Sequence, residues 1–68
     1  MLNKNHGSPY DRGGADSYYQ RGRNPHWYPE GTGNCPVIPS EDMTTEEIAE
    51  YLAGYEDNEH AGNFKDYL

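Results

Sequence analysis

The chain of 68 residues is poor in the side chains that usually build an interior. Aliphatic residues are limited to Leu2, Val37, Ile38, Ile48, Leu52 and Leu68, with Met1 and Met43 beside them. Leu, Ile, Val and Phe together fall well below the ~20% that, with high net charge, marks a chain at risk of disorder. The single cysteine, Cys35, excludes an intramolecular disulfide framework. No apolar run approaches the ~20 residues needed to cross a bilayer. The first residues, MLNKNHG, also lack a signal-peptide apolar stretch. The expected location is therefore cytoplasmic, with no membrane partner.

Tyrosine takes the place of the missing aliphatics: there are seven, together with Trp27 and Phe64. Aromatic rings bury large areas while tolerating a wet hydroxyl edge. The expected architecture is all-α, a two-helix hairpin with helices at about 9–21 and 45–57 and a thin aromatic core. Residues 1–8 form a flexible arm, 9–58 the hairpin with an irregular connector at 22–43, and 59–68 a tail. The connector is rich in proline and glycine, and a short contact of Val37–Ile38 with the core is expected. In the tail, Phe64, Tyr67 and Leu68 are candidate anchors onto the helix pair.

Local signals support both helices. Ser8 is placed to cap the first, with Pro9 at its first position and Asp11 three residues after the cap. Pro25 bars continuation beyond Gly22. In the second, Thr44 and Glu47 form a capping box, and Met43 with Ile48 fits the hydrophobic staple. Ile48, Tyr51, Leu52 and Tyr55 then follow the spacing of an amphipathic helix. Each glycine in a helix costs ~1 kcal/mol relative to alanine, so Gly13, Gly14 and Gly54 call for a reason. Bare backbone at Gly14 and Gly54 would let the helices cross closely, with Tyr18, Tyr51 and Tyr55 filling the flanks; steric logic known from membrane helices applies. A kink is the alternative reading for Gly13.

Arg12-Gly13-Gly14-Ala15, then Arg21-Gly22 and Asn24-Pro25, followed by Tyr51-x-x-Gly54-Tyr55, resembles the two-helix plan of the ribosome modulation factor family. Tyrosine stands where that family carries its Trp-x-x-Gly-Trp rings. The resemblance implies a small, non-enzymatic, ribosome- or RNA-associated regulatory factor. The Tyr-rich stretch is also similar to small uncharacterised proteins of tailed phages, which implies no activity.

The net charge of −7 is unevenly spread. Residues 1–29 carry four cations against two acids, whereas residues 30–68 carry Lys65 against ten acids, +2 against −9. In the first half Arg12, Arg21, Arg23, His26, Trp27 and Tyr28 combine cations with ring faces, as single-stranded RNA sites do. In the second half the acids suit a basic protein surface. Other chemistries find little support. His6, His26, His60 and Cys35 lack metal-ligand spacing. Residues 57–62 imitate a calcium loop only faintly, and GTGN at 31–34 lacks the lysine of a phosphate loop. No catalytic residues, metal, cofactor or small-molecule substrate are expected. Cys35 has no assignable base, and so small a chain has little room for an enclosed pocket of ~300 Å³.

Two readings follow. One is a ribosome- or RNA-associated factor docking through residues 12–28. The other is an acidic inhibitor or adaptor of phage accessory type, binding a basic host protein, with imitation of nucleic-acid charge as one form. Oligomeric state is left open.

Overall fold

A computed structural model of the chain describes residues 7–29, 31 and 36–66. The elements, in chain order, are α1 (Pro9–Tyr18), β1 (His26–Trp27), β2 (Ile38–Pro39), a 3-10 turn at Ser40–Asp42, and α2 (Thr45–Ala61). The helices pack directly on one another, and β1 joins α1 and β2 at one side. Arm residues 1–6, Cys35 and the proposed anchors Tyr67 and Leu68 lie outside the described residues.

The all-α expectation is met by the helices and corrected in the connector. β1 and β2 pair antiparallel, with His26 opposite Pro39 and Trp27 opposite Ile38. Pro25 holds the residue before it out of the helical region, which favours an extended entry to β1. The Trp27–Ile38 pair then packs against the core from its rim. That core is thin: Met43, Tyr51 and Tyr55 are buried, and Trp27, Ile38, Ile48 and Leu52 lean on them. Tyr51 is fully enclosed.

Helix α1 starts as its sequence indicates. Ser8 Oγ accepts from the Asp11 amide at 3.2 Å, and the Asp11 carboxylate reaches back to the Gly7 amide at 2.8 Å. These bonds satisfy donors that the first turn leaves unpaired. The helix stops three residues before the expected Arg21. Gln20 turns left-handed at φ 57°, its amide bonds Ser17 O at 3.0 Å, and the Arg21 amide bonds Asp16 O at 2.9 Å. This is a Schellman ending with glutamine where glycine is usual. The glycine expected to stop the helix, Gly22, comes two residues too late.

Helix α2 begins at Thr45 as expected, with both bonds of its capping box formed. The Glu47 amide donates to Thr44 Oγ1 at 3.1 Å, and the Thr44 amide to Glu47 Oε1 at 2.8 Å. It runs to Ala61, beyond the expected end near residue 57, and closes on Gly62 at φ 71°. The extra turn is held by α1 and the α1–β1 loop. Glu59 accepts from Ser17 Oγ at 2.6 Å, Asn58 Nδ2 donates to Ser17 Oγ at 2.9 Å, and Glu56 pairs with Arg23 at 2.6 Å. Tertiary bonds here outweigh a locally unfavourable acidic run.

The crossing confirms that the backbones approach closely but shifts the register. A Cβ on Gly13 would overlap the carbonyl oxygen of Tyr51, and one on Gly54 would overlap that of Tyr10. Gly14, the expected crossing glycine, does border Gly54, but a Cβ there would sit 3.7 Å from Gly54 O, an ordinary contact, so it is not the point of closest approach. Gly13 is therefore the crossing point and not a kink. Tyr18 is corrected as well, because it is 37% exposed and packs edge-on against Tyr19 at 4.9 Å, off the interface. The buried residues of α1 are Pro9, Gly13, Asp16 and Ser17. Their i, i+4, i+7, i+8 spacing is helical, but the stripe is small and polar. The tail reaches α1 through backbone, the Lys65 amide donating to Tyr18 O at 2.7 Å, while Phe64 stays exposed and does not anchor it.

Candidate partner-binding surface

A polar network seated between the helices fixes how the connector leaves α1. The Tyr51 hydroxyl donates to the buried Asp16 carboxylate and accepts from the Asn24 amide at 2.9 Å. Arg21 Nε closes on the other Asp16 oxygen at 3.0 Å, and His26 Nδ1 lies 3.7 Å from Asp16 Oδ2. A buried carboxylate is tolerated only when paired and hydrogen-bonded in this way. Burial, reinforced by the bond to Asp16, holds the Tyr51 hydroxyl protonated well above its usual range, against a smaller opposing pull from the Asn24 amide. Tyr10 is raised likewise, first by its hydrogen bond to Asp57 and then by partial desolvation.

The six residues proposed from sequence for RNA or partner binding are therefore largely engaged within the fold. Arg12 grips Asp11 through two nitrogens, at 3.1 and 2.8 Å. Arg21 is held by Asp16 and lies over the Tyr19 ring at 4.8 Å. Arg23 pairs with Glu56 and covers the Tyr55 ring at 4.5 Å; that pairing raises its already high pKa. Trp27 leans on the core with its Nε1 buried and unpartnered. Only His26 and Tyr28 face an opening, meeting edge to face at 5.7 Å. The Tyr28 amide is pinned to Gly7 O at 2.7 Å, which ties the loop to the start of α1.

That opening is a cleft of about 340 Å³, lined by Pro25, His26, Tyr28, Val37, Pro39 and Glu41 together with Asn24 and Ser40. It is open at the surface, at the small end of ligand-sized concavities. The sequence showed no sign of it, because its walls come from two stretches of connector that only the β1–β2 pairing brings together. On α2, Glu46 and Glu50 stand one turn apart and make no ion pair among the described residues, and the same holds for Glu41 and Asp42 in the turn before it.

Among the described residues no group of three or more His, Cys, Asp or Glu is placed to hold a metal ion, and no helix is long and apolar enough to cross a membrane. His6 and Cys35 fall outside that description. The residues that sequence reading missed, Asp16, Ser17, Asn24 and Asn58, carry the network. Only the crowding of Ser, Asp and Gly into α1 could have hinted at a polar interface. No family model matches the chain, and comparison with curated proteins and with solved structures likewise returns no match.

Proposed function

We propose that the chain is a small, non-enzymatic binding protein whose acidic surface docks on a basic protein. The observation that carries this reading is the fate of the charges. All three arginines are satisfied by carboxylates of the same fold, whereas Glu41, Asp42, Glu46 and Glu50 are left without ionic partners among the described residues. Unmatched charge of one sign steers association with a surface of the other. Exposed Tyr18 and Tyr19 add ring area of the kind that dominates interface energies.

The alternative is a ribosome- or RNA-associated factor, the reading implied by the likeness to ribosome modulation factor. It would require Arg12, Arg21 and Arg23 to exchange internal carboxylates for phosphates, each exchange giving up a formed bond. The two readings separate by affinity capture from nuclease-treated and untreated lysate, using the wild type and a D42N/E46Q/E50Q variant. Loss of a nuclease-resistant protein partner on neutralising the acids is the expected result. A partner unchanged by the variant overturns the reading. So does capture that vanishes with nuclease, or cosedimentation with ribosomes that weakens steeply as salt rises, the signature of phosphate contacts.

A further inference from the structure

The cleft beside the small sheet has a chemical character of its own. Pro25, Val37 and Pro39 give it apolar walls, and the rings of Tyr28 and His26 stand at 88° to each other within it. His26 Nδ1 lies 2.7 Å from the carbonyl oxygen of Asn24. A carbonyl can only accept, so Nδ1 is the donor in this contact. Glu41 adds an exposed carboxylate with no ionic or hydrogen-bond partner among the described residues. Among the described residues no lysine or arginine lines the cleft. The one carboxylate among its described lining residues is that of Glu41, and the cleft offers aromatic faces beside aliphatic walls.

The complement of such a site is a flat cation rich in donors with an apolar stem. A guanidinium meets those terms better than an ammonium: it stacks on rings and presents a rigid fork of N–H groups to a carboxylate. We infer that the cleft receives an arginine side chain presented by the basic protein partner. This inference rests on the proposed acidic-surface reading and gives it an anchor point.

The test is a titration of the full chain at low ionic strength with a blocked arginine-rich hexapeptide and with its lysine counterpart, followed residue by residue through amide NMR shifts. The expected result is a response at His26, Tyr28, Ser40 and Glu41, tighter binding of the arginine peptide, and a loss of about fivefold in E41Q, the upper end for one exposed ion pair. Because Glu41 is exposed and has no partner among the described residues, E41Q leaves the fold in place, and the circular dichroism spectrum checks this. Equal affinity for the two peptides, unchanged affinity in E41Q, or shifts confined to the Glu46 and Glu50 region overturns the cleft assignment while the acidic-surface reading stands. Failure of both peptides to bind overturns both.

Discussion

Helix α2 brings Tyr51 and Tyr55 to the crossing, whereas α1 brings Gly13, Asp16 and Ser17. Helix α2 is specified by its own sequence, through a capping box, a staple and an apolar stripe. The second means of specification belongs to α1, whose buried side has almost nothing apolar to contribute and is defined by what α2 offers it: a carbonyl to lie against, a phenol for Asp16 and a carboxylate for Ser17. A small domain with few aliphatics can thus gain a second helix by backbone proximity and polar bonds in place of added core volume.

The sharpest way to break this asymmetry is to add one methyl group on α1 at two neighbouring positions. G13A forces a Cβ into the Tyr51 carbonyl, and overpacking of this severity should cost about 3 kcal/mol, a large share of the stability of so small a domain. G14A meets only ordinary contact and should be neutral or stabilise by up to about 1 kcal/mol. Thermal melts followed by circular dichroism read both. Similar melts for the two variants would contradict the assigned crossing point.

The polar side of the interface is probed by alkali. Tyr51 and Tyr10 both hold their protons more tightly in the folded chain than the usual tyrosine value near 10. Up to about pH 10 both states remain protonated and stability is level. Above it the unfolded chain releases protons that the folded chain keeps, so stability should fall as pH rises. Y51F should be destabilised by about 1–3 kcal/mol at neutral pH, because Asp16 and the Asn24 amide lose their partner, and should show a shallower alkaline decline. Urea titrations at pH 8 and 10.5 test both, and an unaltered slope in Y51F would remove Tyr51 from the account.

The smallest effects lie at the helix ends. T44A opens the capping box and should cost about 1 kcal/mol. Q20G relieves a left-handed residue and should stabilise by about 1 kcal/mol, partly offset by the greater freedom of glycine in the unfolded chain. If α2 is the self-specified helix, T44A should lower its helicity even in mild denaturant, whereas Q20G should act only through the cooperative midpoint.

The same contrast explains what could be read before any coordinates. Ser8, Pro9, Thr44 and Glu47 act within three or four residues of themselves, so the starts of both helices were legible. The presence of a glycine-mediated crossing was legible too, but not its register. Tyr18 drew attention as the bulky residue, while the interface used Gly13, Asp16 and Ser17, whose role depends on partners more than 30 residues away. The connector sheet and the cleft were illegible for a related reason, since two-residue strands carry no periodicity. Most instructive are Arg12, Arg21 and Arg23. Counted along the chain they form a basic half; in space each is cancelled by an acid.

Where one main chain rests directly on another, no side chain remains to absorb a change. Evolutionary drift can exchange one phenol for another bulky ring around the crossing, but at Gly13 and Gly54 it has nowhere to go. Any sequence that has diverged from this one while keeping its shape should therefore be recognisable by a bare residue in each rod, long after the tyrosines that first catch the eye have been replaced.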